Sequence, residues 1–262
     1  MQARALALLA VPITACAITA GAAPAAERPT GLWHPGIWRA ERYAAHRHGV
    51  IAFSVRTRTR TWSWHATTSF PSASVVKAML LVAYLDRPSV RARRLSADER
   101  VLLGSMIRRS DNDAASRVFD VVGTEGLSAL AVRAGMRRFT PNAYWGFSGI
   151  AAGDQTRFFL RIDRLIVRRH RAYAMLLLRT ITPVQRWGIA LVRPSGWRLY
   201  FKGGWGDTGW VDHQVALLTR GDERVAVAIL THDNGSHRYG NETLRGMAAR
   251  LLKGLASAKE VP

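Results

Sequence analysis

The sequence predicts an α/β (α+β) domain: an antiparallel sheet built from both chain ends, flanked by helices, with an all-helical lobe inserted between them. Three observations carry this expectation. Runs of β-branched and aromatic residues with a period near two lie at 48–65 and again at 197–231, while the apolar spacing between them is helical. The chain has 262 residues, 48% of them hydrophobic, enough for one sizeable core and too few for two. Residues 1–29 read as a leader and 30–258 as the folded domain, with a sheet lobe at about 38–66 and 197–258, a helical lobe at about 67–196, and a tail at 259–262.

In order, residues 48–56 (HGVIAFSVR) and 62–65 (WSWH) make a hairpin. Residues 74–85 (SVVKAMLLVAYL) are apolar nearly all round, as in a buried helix, and stop before Pro88. A capping box at Ser96 and Glu99 opens a helix to about Arg109. Ser110-Asp111-Asn112 breaks the pattern, helix resumes over 113–122 until Gly123, and a further helix from about Thr124 ends at Gly135. Residues 154–179 read as one long or two abutting helices. Strands follow at 197–202, 211–219 and 224–231, with a turn over Arg220-Gly221-Asp222, and a last helix at 241–255.

The N-terminus carries its own signal. Arg4 precedes an apolar run that ends in small residues, the pattern of an export leader. Cleavage near Ala25 or Ala26 is one reading; the other takes Ile13-Thr14-Ala15-Cys16 as resembling a lipoprotein box with Cys16 acylated. A spanning anchor fits less well, because the run is short and interrupted by Pro12. Cys16 is the only cysteine, so no disulfide is expected in the domain. The formal charge of +20 calls for anionic partners. An exported chain meets cell-wall polymers or a membrane surface, so nucleic acid is not expected as a partner, and a monomer is.

Within that charge, lysine is scarce. Of 38 basic residues only Lys77, Lys202, Lys253 and Lys259 are lysine. An ammonium can give up its proton where a guanidinium cannot, so an internal lysine in such a chain points to proton transfer. Lys77 closes Ser74-Val75-Val76-Lys77 at the first turn of the apolar helix, which puts Ser74 and Lys77 on one face. Burial beside Val75, Val76 and Met79 lowers an ammonium's pKa toward a working range. Alone, each of Ser74-x-x-Lys77, Ser110-Asp111-Asn112 and Lys202-Gly203-Gly204 has an ordinary reading as a cap, a helix break or a strand exit. Together and in this order they carry more weight.

That order resembles the serine β-lactamases and penicillin-binding proteins, whose set is S-x-x-K, S-D-N and K-T-G. The surrounding text, Ala73 to Lys77 and Met106 to Ala115, resembles a compact class A β-lactamase-type domain over roughly residues 38–258. The resemblance implies an active-site-serine hydrolase or acyl-transferase acting on a β-lactam or a D-Ala-D-Ala-like wall peptide, without cofactor. It makes Ser74 the acylated nucleophile and Lys77 the general base. Ser110 would pass a proton to the leaving nitrogen, Asn112 would hold the substrate amide or Lys77, and Lys202 would bind the substrate carboxylate and polarise Ser110. The N–H groups of Ser74 and Trp205 would form the oxyanion hole. Gly203, Gly204, Trp205 and Thr208 are the expected substrate-binding residues, and Trp187, Trp205 and Trp210 are expected near the mouth.

Two departures matter. Gly203 lacks the hydroxyl of K-T-G, for which Thr208 is the stand-in. No Asp or Glu occurs between Glu125 and Asp154, where class A enzymes keep a deacylating glutamate; Thr140, Asn142 and Tyr144 are no substitutes as bases at neutral pH. Acylation followed by slow hydrolysis is therefore expected. No G-x-S-x-G elbow or H-E-x-x-H occurs, and His46-x-His48 without acidic or cysteine neighbours makes no metal site. The rival reading is a non-catalytic wall-binding protein that keeps the motifs as architecture.

Overall fold

The computed structural model describes residues 32–206 and 209–258. The leader with Cys16, Thr208 and the tail at 259–262 lie outside the described residues. The chain opens with α1 (Ile37–Ala45) and the hairpin β1 (Val50–Arg56) and β2 (Thr61–Trp64). Strand β3 (Phe70–Pro71) leads through a 3₁₀ turn, Ala73–Val76, into α2 (Lys77–Asp86), α3 (Pro88–Arg91), α4 (Ala97–Gly104) and α5 (Asn112–Ala134). β4 (Gly149–Ile150) returns to pair with β3, and α6 (Ala152–Leu160), α7 (Ile162–Leu165) and α8 (Arg168–Arg179) follow. β5 (Arg198–Trp205), β6 (Val211–Arg220), β7 (Glu223–His232) and α9 (His237–Leu251) close the chain.

The main sheet is antiparallel with order β2-β1-β7-β6-β5, so the first hairpin is stitched beside the last strand and both chain ends build one sheet, as the sequence predicts. Its two faces are covered differently. On β6 and β7, Asp212 and Thr231 sit opposite one another and face α9, where Gly240 lies against Asp212. One residue along, the side chains turn the other way: Ser54 of β1 bonds Thr156 of α6 at 2.9 Å, and Arg224 of β7 bonds Leu160 and Asp163. Covered on both faces, β1, β6 and β7 are buried almost end to end, which is why they read as continuous apolar runs. Nine of the ten residues of α2 are buried, as its all-round apolar sequence requires.

Several boundaries differ from expectation. Ser74 lies in the 3₁₀ turn ahead of α2, because Ala73 takes a left-handed φ of 43° that tightens the entry. The α4 capping box forms, but the helix widens into a π turn over Ser105–Arg109 before Ser110. Residues 154–179 fall in three helices broken at Arg161 and Val167, and the first of these packs on the sheet. β5 runs on through Gly203, Gly204 and Trp205, so the third motif lies inside the strand instead of at its exit. The last helix starts at His237, four residues early, with Ser236 accepting from Tyr239 N–H at 3.2 Å. The periodicity above does not mark α1, which packs on α9 with the Tyr43 ring against Gly246.

Candidate active site

Three chain segments meet at one hydroxyl. The Ser110 Oγ receives a hydrogen bond from Lys202 Nζ at 2.9 Å and lies 3.3 Å from Lys77 Nζ, which also donates to Ser110 O at 2.6 Å and to Asn112 Oδ1 at 2.7 Å. Local backbone makes this convergence. The π turn ends with Ser110 in a left-handed conformation, φ 57°, which turns its carbonyl and hydroxyl toward α2. Asp111 then caps α5, accepting from Ala114 N–H at 2.9 Å and from Ser105 Oγ at 2.6 Å, and these bonds hold its carboxyl below the usual range. Asn112 stands on the first turn of α5, facing Lys77.

Both lysines are fully buried. Burial pushes the Lys77 ammonium down to about 7, against a weaker upward pull from Asp111. Lys202 is lowered by burial and then by the charge of Lys77. Two ammonium groups sharing one hydroxyl in a dry site repel each other, so a neutral amine is accessible near pH 7.

Alternation along β5 sorts the third motif. Lys202 and Gly204 face the nucleophile turn, while Gly203 and Trp205 face α9. A Cβ on Gly204 would stand 2.8 Å from Ser74 N and 2.9 Å from Val75 N, so only glycine lets the strand lie this close to the serine. At Gly203, a Cβ would stand 3.3 Å from the Trp187 ring. The space of the absent threonine side chain is therefore taken by indole. Trp187 is held there by Gln214, which accepts from Ile189 N–H at 2.6 Å and donates to Trp187 O at 2.7 Å. Trp187, Trp205 and His237 form a cluster with centroids 5.5–5.9 Å apart, Trp187 edge-on to both of the others. Behind it, His237 Nδ1 meets the buried Asp212 carboxyl at 2.5 Å; Asp212 is raised to about 6 by burial, opposed by His237.

Across the cleft, the loop that lacks a carboxylate presents aromatic rings. Ser72 anchors it: its N–H donates to Ser148 O at 2.8 Å, and its hydroxyl is 3.2 Å from the carbonyls of both Trp145 and Gly146. The Trp145 ring covers Lys77 Nζ at 4.8 Å and its Nε1 donates to Ser116 Oγ at 3.2 Å. Phe147 meets Trp210 at 5.6 Å. His213, kept neutral by burial with its pKa down at about 4, donates from Nε2 to Pro71 O at 2.8 Å and accepts from Thr231 N–H, tying β6 to the residue before Ser72.

The structure thus brings together Ser74, Lys77, Ser110, Asn112, Lys202 and Gly204, with Trp205 at the end of β5. Gly203 is covered by Trp187, and Thr208 lies outside the described residues. Among the described residues, Ser74 Oγ takes part in no hydrogen bond. The alternative bases do not join this cluster. Asp154 is buried and accepts from the N–H groups of Arg137 and Arg138 at 2.8 and 2.6 Å, Glu125 is exposed on α5, and Asn142 Oδ1 accepts from Tyr144 N–H within its own loop. Trp145, Trp187's seat over Gly203 and the Asp212–His237 pair carry no sequence signal, because each depends on contacts between distant segments. Among the described residues no group of side chains is placed to hold a metal ion.

Comparison with solved structures finds the same fold. A β-lactamase from Sphaerobacter thermophilus is 18% identical with TM-score 0.70, covering 83% of this chain and 96% of its own. A β-lactamase from Streptosporangium roseum is 16% identical with TM-score 0.72, covering 85% and 98%. A penicillin-binding protein, PBP-A, is 16% identical with TM-score 0.70, covering 84% and 95%. Comparison with curated proteins finds no match. A family model described as the β-lactamase enzyme family matches residues 93–255, spanning the second and third motifs and beginning after Ser74 and Lys77. That match covers more than half of the sequence: the chain belongs to the β-lactamase enzyme family and is a serine hydrolase of that family.

Proposed function

We propose that the protein is an exported acyl-transferase or slow hydrolase, acylated at Ser74 by β-lactams or by D-Ala-D-Ala-like wall peptides. The observation that carries this is the convergence of Lys77 and Lys202 on Ser110 Oγ beside the Ser74 turn, with Lys77 brought to about 7 by burial. Neutral Lys77 takes the Ser74 proton as Oγ adds to the carbonyl carbon. The oxyanion is received by the N–H groups of Ser74 and Trp205. The C–N bond then breaks, and the leaving nitrogen takes a proton through Ser110, which Lys77 replenishes. Lys202 and the cationic cleft favour a substrate carboxylate.

The ester outlives its formation. Hydrolysis needs a base to activate water, and Asp154 is committed to the Arg137 and Arg138 N–H groups, Glu125 stands exposed on α5, and Trp145 shields Lys77. The fold neighbours include both β-lactamases and a penicillin-binding protein, and the loop chemistry favours the behaviour of the second. Intact-mass measurement with penicillin tests the proposal: one whole penicillin should be added, mapped to the peptide that contains Ser74. Absence of any adduct would favour the reading in which the motifs survive as architecture in a wall-binding protein.

A further inference from the structure

At the far end of α9 from the cleft, α1 and α9 form a groove of about 470 Å³ lined by Trp38, Arg39, Arg42, Tyr43, His46 and Arg250. It is built from cations held out by aromatic rings. Arg42 stacks on Trp38 at 4.7 Å and Arg250 on Tyr43 at 3.8 Å, so the two guanidinium planes are ordered without a carboxylate. Helices α1 and α9 carry five arginines against two carboxylates, Glu41 and Glu242. Glu242 is spent on Arg238 at 3.6 Å. Among the described residues Arg39, Arg42 and Arg250 form no ion pair.

Beside these cations Trp38 is 63% exposed. α1 buries Ala40 and Ala44 against the domain and turns Trp38, Arg39 and Arg42 outward. An indole flanked by guanidiniums matches the boundary between headgroups and acyl chains, where the ring sits at headgroup level and arginine meets phosphate bidentately. A soluble polyphosphate would use the arginines alone and leave the indole in water. This is also the chain end that bears the apolar leader, so a membrane-held leader would bring α1 to the surface first.

We infer that the α1–α9 face is a docking surface for an anionic phospholipid bilayer, with a headgroup phosphate received among Arg39, Arg42 and Arg250 and with Trp38 entering the interface. His237 at the cleft and Arg250 in the groove stand at opposite ends of α9, about 20 Å apart at 1.5 Å per residue, so docking leaves the Ser74 cleft off the membrane. The inference is independent of acylation at Ser74.

The test uses the full chain with Cys16→Ser and vesicles of brominated phosphatidylglycerol or brominated phosphatidylcholine. Residues 1–31 contain no tryptophan, so the quenching lost in Trp38→Phe reports this surface whatever the leader does. Trp38-dependent quenching is expected on the anionic vesicles and not on the zwitterionic ones, and it should vanish in 0.5 M salt. Arg39→Gln and Arg42→Gln should each weaken the affinity behind it about five-fold. Unchanged far-UV circular dichroism and melting temperature in these variants certify their fold. Quenching that is absent, equal on both vesicles, or indifferent to the arginines overturns the inference. So does binding to soluble poly(glycerol phosphate) without quenching on anionic vesicles, which would assign the groove to a wall polymer.

Discussion

The two walls of the cleft are built from different chemistry. One wall, the Ser74 turn, Ser110 and β5, holds the Ser110 hydroxyl within bonding reach of two buried amines. The other, residues 140–148, lays the Trp145 ring over Lys77 and the exposed Phe147 against Trp210, and spends Asn142 and Ser148 on its own backbone and Trp145 Nε1 on Ser116. Under the proposed function, making an ester from serine needs a neutral amine and an oxyanion hole, roles given to Lys77 and to the N–H groups of Ser74 and Trp205 on the first wall. Breaking it needs an activated water, for which the second wall offers an indole. On the proposed function, the contrast separates two steps that a fast β-lactamase must combine.

The largest expected effect removes the first wall altogether. Ser74→Ala should abolish the penicillin adduct, and any adduct that remains on another residue would move the nucleophile. Lys77→Arg keeps the charge and removes the neutral form, so acylation should fall about 10²–10⁴-fold, the usual contribution of a general base. Near-normal labelling of that variant would take Lys77 out of the role.

The second wall can be converted. Trp145→Glu places a carboxylate beside Lys77, and ester hydrolysis should rise about 10²-fold, while Trp145→Phe stays slow. The new charge should also raise the Lys77 pKa and move the acylation profile to higher pH. Deacylation unchanged by the glutamate would show that the indole is not what blocks water.

A gentler probe is pH. Because burial lowers Lys77 to about 7, its neutral fraction falls about ten-fold per unit below that value and saturates above it. Acylation should therefore climb to near pH 8 and level off, as followed by stopped-flow. A rise that continues to pH 10 would indicate an ordinary, solvated lysine. The smallest effect concerns the covered glycine. Gly203→Thr alone should impair acylation by pressing on Trp187, whereas Gly203→Thr with Trp187→Ala should improve capture at low penicillin concentration about two- to ten-fold, the worth of one hydrogen bond.

What was legible in the sequence follows the same division. Ser74-x-x-Lys77 and Ser110-Asp111-Asn112 could be read because each is local: a helical entry and a helix break fix their geometry within a few residues. Lys202-Gly203-Gly204 was legible as a motif but not in its place, since only pairing with β6 carries the strand through to Trp205. The missing carboxylate was equally plain as an absence. What replaces it was not, because Trp145 reaches Lys77 only after Ser72 has pinned a loop from a distant part of the chain. Trp187 above Gly203 likewise depends on Gln214, a residue of another strand. α1 escaped notice because its buried face consists of two alanines, a stripe too thin to stand out in an arginine-rich segment.

The central claim is that acylation and hydrolysis have been uncoupled, and the decay of the adduct tests it most directly. The protein is labelled to completion with penicillin, freed of excess reagent, and followed by intact mass over time. The account predicts an adduct on Ser74 that persists for minutes or longer. Loss of the adduct within milliseconds, with turnover of a chromogenic cephalosporin at tens per second that depends on Ser74, would contradict it and require a base on the second wall.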